Sequence, residues 1–228
     1  MQRFGTVYGG WYLPRDICLD SNSIIYSIGA GEDISFDLQI QSNFNSYIYI
    51  YDPTPRAIVH FDNVKRFYDD KQHKFPGDIQ RDYLENINDL KVDFSKMKFI
   101  NKGIHITDTA MKFYRQDNNR YVSQSLEPNM FGSDFDVVNV STLKNELVNN
   151  GHSHIDVLKM DIEGSECDVL NNMINDGIFP KYLCIEFDLY LKNKDSNRKT
   201  DRIINKLFKC GYKILQNDNF EITFEKVE

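Results

Sequence analysis

The stretch IIYSIGAGEDISFDL, from Ile24 to Leu38, reads as an apolar strand that enters a turn at Gly29, Ala30 and Gly31 and leaves it as a helix. Glycines at a strand-to-helix turn let backbone approach a ligand without a Cβ in the way, and the helix amino terminus adds oriented N–H groups. Alone, the pattern reads equally well as a tight turn. A second stretch shifts that balance. YIYIYDPTPRAI, Tyr47 to Ile58, is another apolar strand, and it places Asp52 about twenty residues beyond the glycine turn, where an acidic side chain can accept both hydroxyls of an adenosine ribose. The ordinary alternative is a turn or helix-capping aspartate ahead of Pro53.

Charge narrows the ligand. A nicotinamide dinucleotide site wants a third glycine where this chain has Ile34, and it must hold a pyrophosphate, which Glu32 and Asp33 would repel. Asp33 or its backbone suits instead the amino group and sulfonium of S-adenosylmethionine. The turn is therefore expected to bind a methyl donor.

Two further strand ends carry acid. IDVLKMDIEGSECDVL, Ile155 to Leu170, is an apolar strand ending in Asp161, followed by Glu163, Gly164 and Glu166 before a helix. Ligands of open α/β sheets bind beyond the carboxyl ends of the strands, so Asp161 and Glu163 are expected at the crevice of Gly29 and Asp52. The alternative makes Ser165 a helix cap and Glu166 a partner of the helix dipole. YLCIEFDLY, Tyr182 to Tyr190, sets Glu186 inside an apolar strand with Asp188 just after it. A buried carboxylate is costly unless paired, so Glu186 needs a cation, a metal, a substrate hydroxyl or a salt bridge to a neighbouring Lys or Arg.

Outward from these stretches the chain alternates β-rich runs with polar helical ones, the pattern of an α/β layer fold. Strands are predicted at Ile24–Ile28, Tyr47–Tyr51, Phe99–Ile106, Val157–Met160, Tyr182–Phe187, Tyr212–Gln216 and Glu221–Phe224. Helices are predicted at Ile34–Ser42, Pro55–Phe61, Gln80–Leu90, Thr142–Asn149, Ser165–Asp176 and Thr200–Cys210. Asp62 to Lys98 reads as a helical crossover with a mobile, charged portion, and Gln116 to Phe135 as a loop of functional length.

With 228 residues, 41% hydrophobic and 27% charged, the chain is expected to form a single globular domain, residues 1–20 being an amino-terminal arm or lid. No apolar run nears the roughly 20 residues that cross a bilayer, so no membrane insertion is expected. Cys18, Cys167, Cys184 and Cys210 form no C-x-x-C pair, which argues against a zinc site or disulfide framework and for the cytoplasm, the host's if the chain is viral. A net charge of −7 weighs against nucleic-acid partners. The basic stretch Lys192 to Arg202, broken by Asp195 and Asp201, reads as a solvated helix start.

The segments YGGW (Tyr8 to Trp11), YSIGAGEDISFD (Tyr26 to Asp37), DPTPR (Asp52 to Arg56) and LKMDIEGSE (Leu158 to Glu166) together resemble the FkbM-type methyltransferases. The resemblance implies a Rossmann-like class I methyltransferase fold: a three-layer α/β/α sandwich whose seven-stranded sheet is mostly parallel, with the last strand antiparallel. It implies S-adenosylmethionine binding by the loop containing Ser27, Gly29, Ala30, Gly31 and Asp33, with Asp52 and Pro53 at the ribose, Thr107 and Asp108 near the adenine, and Asp161 at the donor. The commoner family pattern has Asp and Asn where this chain has Ser27 and Gly31. YGGW looks like a lid over the donor, or else Trp11 anchors the arm.

The resemblance further suggests O-methylation of a hydroxyl on a sugar or glycan, including deoxysugars such as rhamnose, or on a glycosylated small molecule. Catalysis would come mainly from positioning, with a base taking the hydroxyl proton. Candidate bases are Asp161, Glu163 and Glu186, with His105, His152 and His154 behind them. The same three carboxylates could instead hold a divalent cation, Mg²⁺ or Mn²⁺. Two other readings stay open: a methyltransferase of RNA or protein, and a catalytically silent donor-binding domain associated with or fused to a glycosyltransferase.

Overall fold

The computed structural model describes residues 1–76, 79–118, 123–128, 130–189 and 194–227, with side chains from 197 in the last span. In chain order the elements are β1 (Gln2–Phe4), β2 (Trp11–Leu13), β3 (Ile24–Ile28), α1 (Ser35–Phe44), β4 (Tyr47–Tyr51), α2 (Pro55–Asp69) and α3 (Tyr83–Ile87). After a 3₁₀ turn at Phe94–Lys96 come β5 (Met97–Ile100), β6 (Gly103–Ile104), β7 (Thr109–Arg115), β8 (Gln124–Ser125), β9 (Phe135–Ser141), α4 (Leu143–Asn150) and β10 (Val157–Met160). The chain continues through α5 (Glu166–Asn175), β11 (Tyr182–Glu186), α6 (Lys194–Lys209), β12 (Tyr212–Asp218) and β13 (Glu221–Lys226).

Seven strands form the main sheet in the order β12-β13-β11-β10-β3-β4-β5. The run from β11 to β5 is parallel, while β13 is antiparallel to both β11 and β12. This is the Rossmann-like α/β architecture expected from the sequence. All four residues of β10 are buried, as a central parallel strand covered on both faces requires.

Apolar side chains fill both sides of the sheet. Ile25, Ile48, Ile50 and Val157 meet Phe36, Leu38 and Ile40 on one face. Tyr26, Leu158 and Met160 meet Leu143, Leu170 and Leu207 on the other. Each such side chain fully buried contributes about 1.5–3 kcal/mol, so this packing outweighs the weak propensity of the short strands.

The DPTPR segment folds locally as its residues dictate. The Thr54 hydroxyl accepts the Ala57 N–H at 3.3 Å, and Pro55 occupies the first turn of α2, where its missing N–H costs nothing.

The region between β5 and α4 differs from expectation. Phe99 to Ile106 is two strands, β5 in the main sheet and β6 in a second sheet of order β6-β9-β7-β8. β7 carries no strand prediction, and β9 starts at Phe135, the residue taken as the end of a loop. Residues 119–122 and 129 of that loop lie outside the described span, as do 192 and 193 of the basic stretch. β1 and β2 add an unpredicted amino-terminal hairpin whose Phe4, Trp11 and Leu13 enter the core.

Among the described residues, no helix is long and apolar enough to cross a membrane. The four cysteines are free.

The order of the main sheet places the site. From β3 the chain moves outward to β4 and β5, then returns to pair β10 on the other side of β3. The carboxyl ends of β3, β4 and β10 therefore open on one crevice at the reversal of strand order.

Candidate active site

A cavity of about 400 Å³ fills that crevice. The residues after β3, β4, β10 and β11 line it, together with Val7, Tyr8, Gly9 and Trp11 from the amino-terminal hairpin and Gly103, Ile104, Phe113, Gln124 and Leu126 from the second sheet.

The glycine turn is fixed from several directions. Gly29 has φ +80°, and a Cβ there would lie 1.6 Å from the Asp161 carbonyl oxygen. Only glycine lets the ends of β3 and β10 pass this closely. Asp52 faces the turn: its Oδ2 accepts the N–H groups of Ala30 and Gly31, each at 2.9 Å. Its Oδ1 accepts the Thr54 N–H and hydroxyl, each at 2.7 Å. All four acceptor sites of the carboxylate are thus occupied by the protein itself. Arg56 of α2 makes a bidentate ion pair with Glu32, donating from Nε at 3.0 Å.

Asp33 lines the cavity and also secures the hairpin. Its Oδ2 accepts the Thr6 hydroxyl at 2.6 Å and its Oδ1 the Ser35 N–H at 2.9 Å. Gly9 packs so closely on Asp33 that a Cβ would lie 2.6 Å from the carboxyl carbon. Gly10 is required for a different reason, since a Cβ there would lie 2.4 Å from the Thr6 carbonyl oxygen. The hairpin turn lies across the cavity, with Trp11 buried and Tyr8 exposed at the mouth.

The acidic strand ends converge as expected, with one exchange of partners. Asp161, Glu186 and Asp188 bring carboxylate oxygens within 4.8 Å of one another. Asp188 joins this group in place of Glu163, which sits on the cavity wall with φ +59° and its carbonyl accepting the Ser125 hydroxyl at 2.6 Å. Burial lifts the pKa of Asp161, and the neighbouring Lys159 charge opposes that rise. Glu186 is raised by burial and then by Asp161. Asp188 is raised by burial and then by Glu166. One Asp188 oxygen is buried without a hydrogen-bond partner. Glu166 is itself raised by burial, and its Oε1 accepts the Gly164 N–H at 2.8 Å. Ser165 stands at the cap position of α5 but makes no side-chain cap; its hydroxyl donates to Glu127 at 3.2 Å.

Gly29, Ala30, Gly31, Asp33, Asp52, Pro53, Asp161, Glu163 and Glu186 all line the cavity. Ser27, Thr107 and Asp108 do not. Ser27 is buried within β3. Asp108 instead braces the start of α4, accepting the Ser141 hydroxyl at 2.7 Å and an Asn145 amide N–H. The place expected for Thr107 and Asp108 is taken by Gly103 and Ile104, because the chain leaves the main sheet right after β5. The histidines also lie elsewhere: His152 bonds Tyr26 at 2.9 Å and Tyr49 at 3.1 Å, His154 pairs with Asp156, and His105 lines no part of the cavity.

Sequence reasoning passed over Lys159. It is 5% exposed, and among the described residues lining the cavity it is the only cation. Its ammonium donates to the Gly29 carbonyl. A lysine inside a fully apolar central strand was the available signal, because a charge there needs partners.

The FkbM methyltransferase domain matches residues 81–214, more than half of the chain. Among solved structures the chain is similar to methyltransferase FkbM from Methylobacillus flagellatus KT, at 12% identity and TM-score 0.51, over 92% of this chain and 44% of that one. It thus spans less than half the length of that protein. SAH-bound PaMTH1 from Podospora anserina aligns at 8% identity over 90% of this chain and 72% of that one, TM-score 0.45. Aeropyrum pernix fibrillarin with natively bound S-adenosyl-L-methionine aligns at 11% identity over 92% and 67%, TM-score 0.42. No curated protein matches the sequence. The family match takes in β10 and β11 with their acidic ends and spans more than half of the sequence: the chain belongs to the FkbM methyltransferase domain family.

Proposed function

We propose that this chain is an S-adenosylmethionine-dependent O-methyltransferase acting on a hydroxyl of a sugar, glycan or glycosylated small molecule. The observation carrying the donor assignment is that the glycine turn and Asp52, joined by direct hydrogen bonds, line one cavity at the strand-order reversal. The cavity fits a nucleoside, and the missing Cβ at Gly29 keeps its floor clear. Bound there, S-adenosylmethionine supplies an activated methyl group.

The chain's own residues supply the rest. Asp52 meets the ribose hydroxyls by exchanging its bonds to Ala30 and Gly31, which frees those N–H groups toward the ligand. At the other end Tyr8, Trp11 and Phe220 give apolar faces, while Glu186, Glu221 and Gln124 give hydrogen-bonding groups. Such a mixture suits a neutral polyol and repels phosphates, which favours a sugar over RNA. Asp161 is the base: it stands at the end of the central strand, and the nearby Lys159 favours its ionised form over that of Glu186. The hairpin turn shields the reacting centre from water. We place the enzyme in the cytoplasm, in keeping with its free cysteines, and association with a glycosyltransferase would supply its acceptor.

The test is turnover of S-adenosylmethionine to S-adenosylhomocysteine on a panel of sugars, glycosides, RNA and peptides. Methylation of a glycoside supports the reading, and RNA or peptide turnover alone overturns it. The close approach of Asp161, Glu186 and Asp188 also lets a divalent cation activate the hydroxyl. Turnover that survives EDTA supports Asp161 as base, whereas strict Mg²⁺ or Mn²⁺ dependence replaces it with the metal.

A further inference from the structure

The geometry points to Lys159 as the positioning residue of the donor turn: its buried ammonium holds the Gly29 carbonyl, and so fixes the peptide unit that presents the Ala30 N–H to Asp52. The Gly29 carbonyl and the Ala30 N–H belong to the same planar amide. Lys159 takes its oxygen, and Asp52 Oδ2 takes its hydrogen at 2.9 Å. A cation and an anion therefore grip opposite ends of one dipole. Charge-assisted bonds of this kind are roughly twice as strong as neutral ones.

The grip matters because of where the peptide lies. It follows a glycine at φ +80°, the residue type least able to resist rotation of its own peptide planes. A rotated amide would aim its carbonyl at Asp52 and turn the Ala30 N–H from the cavity. Nothing else among the described residues bonds the Gly29 carbonyl. Lys159 reaches it because β3 and β10 pair in register, Lys159 beside Ser27 and Met160 beside Ile28, so a side chain rising from β10 meets the turn after β3. The same ammonium lies near Asp37 of α1, 2% exposed and with one oxygen unpartnered.

This inference rests on the proposed donor site, and two measurements separate their failures. The first needs no ligand. In ¹⁵N spectra of the full chain, Lys159→Met is expected to move the Ala30 amide resonance in the same direction as Asp52→Asn does. The second is S-adenosylhomocysteine affinity by calorimetry. Lys159→Met should weaken it at least about tenfold, and the loss should be less than additive with that of Asp52→Asn, since both act on one peptide. With turnover, the donor KM should rise, and the kcat–pH profile should move to higher pH because Asp161 loses the cation that favours its ionised form, while the acceptor KM changes less than about threefold. Because removing the cation leaves Asp37 unopposed, Lys159→Met/Asp37→Asn repeats each measurement in a background without that buried charge. An unmoved Ala30 resonance or additive losses overturn the role of Lys159. If the wild-type chain binds no S-adenosylhomocysteine, the donor site fails instead, and the ligand-free spectra still decide on Lys159.

Discussion

The two ends of the cavity are built from different materials. At the glycine turn the parts are backbone, and every bond is made: Asp52 is saturated, the Gly29 carbonyl is held and the turn is braced by Arg56. At the tips of β10 and β11 the parts are charges, and they are frustrated. Asp161, Glu186 and Asp188 crowd together, each raised by burial, and one Asp188 oxygen has no hydrogen-bond partner. The contrast teaches that one end is defined by shape and should tolerate almost no steric change. The other is defined by electrostatics and should respond to pH and charge while keeping its shape.

Gly29→Ala should produce the largest effect. The added methyl group meets the Asp161 carbonyl at 1.6 Å, and relief requires the ends of β3 and β10 to separate. A loss of more than about 4 kcal/mol is expected in urea unfolding, with no detectable donor binding. Near-normal stability would mean that the turn is softer than its geometry implies.

Asp161→Asn tests the other end at nearly constant shape. Turnover should fall about 100- to 10,000-fold, the worth of a general base, while the S-adenosylhomocysteine Kd stays within about threefold. An equal loss of donor affinity would erase the division between the two ends. Asp52→Asn is the mirror experiment, with donor affinity expected to drop about 10- to 100-fold and acceptor KM unchanged.

The smallest effect is on stability against pH. Burial raises Asp37 to about 6 in the folded chain. The folded state therefore binds more protons than the unfolded one between the ordinary aspartate value and that pH, so stability is greatest below this window and is lost as pH rises through it. The raised Asp161, Glu186 and Asp188 act in the same direction. Urea midpoints should fall from pH 5 to pH 8. Asp37→Asn should reduce that fall by roughly 1 kcal/mol, since only the upper part of its window lies above pH 5, and an unchanged fall would show that Asp37 does not titrate in this range.

Much of the shape-defined end was legible in the chain. Ile24–Ile28, Tyr47–Tyr51 and Val157–Met160 are strands with the boundaries that their apolar runs suggested. Glycine and proline announce backbone geometry directly, which is why the turn at Gly29 and the start of α2 could be read from them. The second sheet was not legible. β7, TAMKFYR, is mostly exposed, so its side chains show little of the alternation that marks a half-buried strand. Missing it displaced the wall expected at Thr107 and Asp108 to Gly103 and Ile104. Charge partners were hidden for another reason. That Asp188 joins Asp161 and Glu186 in place of Glu163, and that Lys159 reaches Gly29, depends on strand register and on the left-handed backbone at Glu163. Neither is written in local composition.

The most direct test is titration of the ¹⁵N-labelled chain with S-adenosylhomocysteine. Saturable one-to-one binding is expected, with the largest amide shifts at Ala30, Gly31 and Thr54 as Asp52 exchanges its protein partners for ribose hydroxyls. Binding that leaves those three amides still, or no binding at millimolar ligand, would contradict the assignment of this cavity to a methyl donor.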